Sequence, residues 1–168
     1  MTLGDAGTPI VLTANTTVAS GSGALTFGGT INGAYTLNAN STGNNTFSLE
    51  VGGSIALSSL ITNSGGITYI NGGAITTTGI QTFNDAVVLG ADTTLTTMSS
   101  DVTFSSTVDS DAALTKRDLT LTLDTGSATF SGIVGATTLA DITLNSSATF
   151  NAAVTADNLT ISASKAAV

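Results

Sequence analysis

The sequence predicts an all-β chain wound into a parallel β-helix of about seven or eight coils, with a period near 20 residues. Three observations predict it. First, Thr-Phe followed by Gly, Ser or Asn, then two variable residues, then Val or Ile, occurs six times. The copies run Phe27 to Ile31, Phe47 to Val51, Phe83 to Val87, Phe104 to Val108, Phe130 to Val134 and Phe150 to Val154, and they use every Phe in the chain. Thr68-Tyr69 is a degenerate seventh copy with Gly73 in place of the Val, and successive aromatics stand 20, 22, 14, 21, 26 and 20 residues apart. Second, apolar residues alternate with Thr, as in Leu119-Thr-Leu121-Thr-Leu123. That is the period of a strand with one buried face, and β-branched Thr suits the exposed pleat. Third, pairs such as Gly52-Gly53, Gly65-Gly66 and Gly72-Gly73 separate the runs. They supply corners where positive φ is needed.

Taken in order, residues 1–23 read as one irregular entry coil, with Pro9 at a strand start where its missing N–H costs little. Repeats fill residues 24–164, and 165–168 are a tail, so the whole chain is one solenoid domain. Two or three short strands in about 20 residues are too few for a propeller blade, which takes roughly 40. They suit one coil whose strands pair with those of the next, ~4.8 Å away. Phe should then stack on Phe and Val on Val inside, with Thr and Asn outside. The structural ladder is Phe27, Phe47, Tyr69, Phe83, Phe104, Phe130 and Phe150, joined by Ile31, Val51, Val87, Val108, Val134 and Val154. Its 14-residue step means that Tyr69 is not a true equivalent or that a coil lacks a side. The 26-residue step implies an insertion at Asp109 to Asp118, and the charged loop it makes is the candidate interaction loop: Asp109, Asp111, Lys116, Arg117 and Asp118.

Composition narrows the function. Only 8% of residues are charged, against roughly 25% in ordinary domains. A Gly- and Asn-rich chain can remain disordered, but here 41% of residues are apolar and they recur at fixed spacing. The net charge of −8 argues against nucleic acid or an anionic membrane as partner. Most of the Asp fall at turns, where they read as solubilising. With no Cys there is no disulfide framework or thiolate metal site. No run approaches the ~18 apolar residues of a spanning helix. Met1 to Asp5 lack a basic and an apolar signal region, so the expectation is a mature or excised piece with an added Met.

Chemistry has little to work with. The absence of His and Cys removes the common nucleophile–base pairs. Asp109, Asp111 and Asp118 beside Lys116 and Arg117 are the one cluster on which hydrolysis or elimination could be built, and they share a single loop. The expectation is no catalysis and no cofactor or metal, since neither a Gly-Gly-x-Gly-x-Asp array nor a convergent set of oxygens is evident. Thr76-Thr77-Thr78, Thr93-Thr94, Thr96-Thr97 and Thr120-x-Thr122 raise ice binding as a minor alternative. It requires Thr-x-Thr at one register on consecutive coils, and in the linear sequence the pairs look scattered.

The run from Gly79 to Thr97, followed by Asp101-Val-Thr-Phe-Ser-Ser-Thr-Val108, resembles the repeat region of large bacterial exoproteins, the filamentous-haemagglutinin-like and autotransporter-like adhesins. The resemblance spans about Ala24 to Ser164. It implies a right-handed helix, an extracellular or cell-surface location, and service as a stalk or fibre. No secretion domain or membrane barrel accompanies it. Uncapped solenoid ends expose strand edges, so the expected partners are further copies stacked head to tail or neighbouring repeats of a longer chain. The function expected is a structural subunit, with a surface adhesin segment recognising a cell-surface ligand as the alternative.

Overall fold

A computed structural model describes residues 1–162 of the chain. It is all-β among those residues: about eight coils of ~21 residues stack as a parallel β-solenoid. Each coil has three faces. Face 1 carries Thr2–Leu3, Leu25–Phe27, Asn45–Phe47, Ile67–Ile70, Ala86–Leu89 and Val108–Ser110, then the starts of Val134–Leu144 and Val154–Ile161. Face 2 carries Ile10–Val11, Ile31–Asn32, the bridge residue Val51, Ala74–Thr76, Thr93–Thr96 and Leu119–Thr122, then the ends of those same two long strands. Face 3 carries Thr16–Gly21, Thr36–Ser41, Ser59–Thr62, Gln81–Phe83, Val102–Phe104, Ser127–Phe130 and Ser147–Phe150. Every inter-coil pairing is parallel, so the strand N–H groups of a middle coil donate to carbonyls of the coils above and below.

The entry segment is more regular than its composition suggests. Thr2–Leu3, Ile10–Val11 and Thr16–Gly21 pair in order with the second coil, making residues 1–23 a full first coil. The tail 165–168, with Ala163 and Ser164, lies outside the described residues.

The aromatic ladder is two ladders, not one. Phe27 and Phe47 stack on face 1, with centroids 5.1 Å apart and planes 2° from parallel. Phe83, Phe104, Phe130 and Phe150 stack on face 3 at 5.2, 4.8 and 4.7 Å. The companion ladder splits in the same way. Ile31 and Val51 lead on face 2 to Ile75 and Leu95, whereas Val87, Val108, Val134 and Val154 line face 1. The Phe-to-Val motif is therefore a corner, with its Phe on one face and its Val on the next. The first two copies turn from face 1 to face 2, and the last four turn from face 3 to face 1. Tyr69 takes no place in either ladder. It points outward opposite Thr46 and Val88, while its neighbour Ile70 continues the interior file from Phe47 to Leu89. This change of corner accounts for the 14-residue step.

The corners themselves are tight. Gly52 (φ +76°) and Gly135 (φ +78°) stand where an added Cβ would press on the carbonyl oxygen of the coil beneath, Thr76 and Thr155 respectively. Only glycine combines positive φ with that close approach.

Candidate functional site

The charged connection is shorter than the expected Asp109 to Asp118, because Asp109 belongs to the strand Val108–Ser110 and pairs with Val88. Residues 111–118 join Val108–Ser110 on face 1 to Leu119–Thr122 on face 2, and Leu114 at the tip is fully exposed. Its charges are engaged within the chain. Arg117 forms a two-pronged pair with Asp111, at 2.8 and 3.0 Å. The hydrogen bonds from Arg117 hold the Asp111 carboxyl below the usual carboxylate range. Lys116 pairs with Asp157 on the last described coil. Asp109 accepts the N–H of Thr137 at 2.9 Å, and Asp118 accepts that of Asp141 at 3.0 Å. Asp109 and Asp118 face separate backbone donors and Asp111 faces Arg117, so each carboxylate of the cluster is committed to a different partner.

The other acids show the same habit. Asp92 accepts the N–H of Asp118, Asp118 that of Asp141, and Asp141 the side-chain amide of Asn158, giving one acidic file down the corner beside face 2. Asp101 takes both the N–H and the hydroxyl of Ser127. Reading these residues as mere solubilisers understates them: they fasten coil to coil. No group of three or more His, Cys, Asp or Glu suited to a metal ion is present among the described residues.

One acid does not belong to the surface. Asp85, 2% exposed, turns inward at the corner between Phe83 and Val87. It accepts the N–H of Gly66 at 2.8 Å, the Asn45 amide at 3.0 Å and the Thr68 hydroxyl at 3.2 Å. Asn45 and Thr68 occupy the interior file that is otherwise Leu25, Val87, Val108 and Val134. Thr62 and Gln81 stand on face 3 above and beside Phe83, and both are fully buried. A polar belt thus crosses the core where the Phe ladder ends on face 1 and restarts on face 3. The motif held a signal for it, since Asp85 is the one acid two residues after a motif Phe.

Two outer surfaces remain. A shallow groove of about 350 Å³ on face 3 is lined by Asn38, Asn40, Asn63 and Asn84 around Ile61. Most of its amides are occupied: Asn38 donates to Thr17, Asn63 accepts from the Ser41 N–H, and Asn84 donates to the Thr62 carbonyl. Face 2 is different, and it corrects the impression that the Thr pairs are scattered. Ala74-Ile-Thr76, Thr94-Leu-Thr96, Thr120-Leu-Thr122, Thr143-Leu-Asn145 and Thr160-Ile-Ser162 fall at one register on consecutive coils. Their unequal sequence spacing comes from corners of unequal length, which the pairing absorbs. No family model, curated protein or solved structure matches this chain.

Proposed function

We propose that this β-solenoid is a structural segment of an extracellular fibre or stalk, without catalytic activity, whose coils continue into further coils at each end. The single observation that carries this reading is the state of the last described strand. Val154–Ile161 pairs with Val134–Leu144 on one side and, among the described residues, with no strand on the other. Its core-facing Leu159 and Ile161, in the interior files of Ile142 and Leu144, are 45% and 48% exposed among the described residues. A further coil at ~4.8 Å would bury both and pair the edge. The neighbours are copies of this chain stacked head to tail, a heterologous contact that builds an open filament, or adjoining repeats of a longer cell-surface protein. The occupied charges of the 111–118 loop and the dispersed acids support a scaffold over an enzyme.

Negative-stain electron microscopy with solution mass measurement tests the reading. Long filaments of one-coil repeat are expected, shortened by Leu159→Asp with Ile161→Asp. Monodisperse short rods at all concentrations would remove self-stacking and leave the longer-chain form alone. A compact particle without solenoid proportions would overturn both.

A further inference from the structure

We infer that face 2 of the last five coils is an ice-binding surface. Thr94, Thr120, Thr143 and Thr160 form one outward file, and Thr76, Thr96 and Thr122 form a second two residues along each strand. The geometry of parallel pairing sets the spacing between successive Thr in a file at about 4.8 Å, and that between the files at about 6.6 Å. The result is a two-file array about 20 Å long over five coils, complete as Thr-x-Thr at Thr94–Thr96 and Thr120–Thr122, with Ala74, Asn145 and Ser162 at the remaining places, and backed from within by Ile75, Leu95, Leu121 and Leu144, all buried.

Chemistry selects the occupant. None of these seven hydroxyls bonds to another group among the described residues, although Thr at the corners, such as Thr77, Thr93 and Thr97, bond to nearby carbonyls. Each is therefore left to water. A β-branched side chain is restricted at χ1, and in one repeated backbone setting the same restriction recurs on each coil, so hydroxyls and methyls tend to the backbone spacing. The array carries no charge. The acidic file of Asp92, Asp118 and Asp141 runs alongside the first Thr file, two residues before it on the same outward side. A surface periodic in two directions is complementary to a lattice rather than to a discrete folded partner. A neutral lattice that both donates and accepts hydrogen bonds is the surface of ice. Crystalline polysaccharide is the competing lattice, and this face offers no aromatic ring for sugar rings to stack on. Face 3 supplies an internal control. Its outward Thr82, Thr103, Thr129 and Thr149 are also in register but form a single file, so they fix one repeat and not two.

The experiment is growth of single ice crystals in the full chain, read as thermal hysteresis and as adsorption of fluorescently labelled protein to ice planes. Wild type should shape the crystals and coat their surface. Thr96→Lys with Thr122→Lys should abolish both readouts. Thr103→Lys on face 3 should leave them unchanged, with circular dichroism showing that all three chains fold alike. Indifference of wild type to ice would overturn the assignment, as would equal loss in Thr103→Lys. Capture of wild type by crystalline cellulose or chitin, with ice growth untouched, would assign the face to polysaccharide instead. Filament formation is read separately and does not bear on any of these outcomes.

Discussion

At the scale of single residues, two buried polar groups make opposite predictions. Asp85 receives three hydrogen bonds in the core, and truncation to Ala strands the donors of Gly66, Asn45 and Thr68. Each buried donor left unpaired costs about 1–3 kcal/mol, so denaturant unfolding should show Asp85→Ala destabilised by several kcal/mol. Asp85→Asn should fall within about 1.5 kcal/mol of wild type. Its oxygen can keep the Gly66 bond, and once the Asn45 amide turns over its own amide donates to Asn45 Oδ1 and the Thr68 hydroxyl, so that Asn45 Nδ2 replaces Oδ1 as the unpaired atom. Equal losses in the two variants would mean that the charge, not the hydrogen bonding, holds the belt together. Ser146 is the contrary case. Its hydroxyl is fully buried with no partner among the described residues, so Ser146→Ala removes a desolvated group while keeping the Cβ. Its unfolding free energy should stay level or rise, by about 1 kcal/mol at most.

At the scale of elements, the unit is the stacked aromatic file. Phe130 lies between Phe104 and Phe150, with ring centroids at 4.8 and 4.7 Å, and is wholly buried. Phe130→Ala should cost about 3–5 kcal/mol, the range for an aromatic truncated in a core. A change below about 0.5 kcal/mol in equilibrium unfolding would place the ring outside the core and contradict the register. The strands and their inward residues were legible because each follows from local alternation, and spacing located the insertion to within two residues, at Asp109 to Asp118 where the structure has 111–118. Which face a given Phe occupies was not. The motif from Phe to Val describes one corner, and two of the three corners of a coil are built from it. The face depends on the summed lengths of the preceding corners, and these vary. Phe47 and Phe83 share a motif yet lie on different faces, because Ile70, with no motif of its own, continues the file from Phe47. The Thr array was hidden for the same reason. Thr96 and Thr122 stand 26 residues apart and Thr76 and Thr96 stand 20 apart, yet all three share one file. Asp85 was obscured differently, since an Asp between Asn84 and Ala86 reads as a turn until the coil above supplies its donors.

At the scale of the whole molecule, a solenoid is nearly one-dimensional: each coil is stabilised by its two neighbours, and its stability is a sum of coil and interface terms. The described end coils have one neighbour each, so opening should proceed inward from both. Amide hydrogen exchange should therefore be slowest around the middle coils, where Val87 and Phe104 are bonded on both sides, and should quicken toward Leu3 and toward Leu159. Asp85 adds to the gradient by tying three successive coils through Asn45, Thr68 and Gly66, so Asp85→Ala should let exchange penetrate to the centre. The same measurement reaches the proposed assembly. Stacking through the terminal coils turns each into a middle coil, so amides from Val154 to Ile161 should gain protection as protein concentration rises. Amides near Phe104 should not change. End coils that exchange equally fast at every concentration would show that no second copy covers them, and the segment would then act only as one stretch of a longer solenoid.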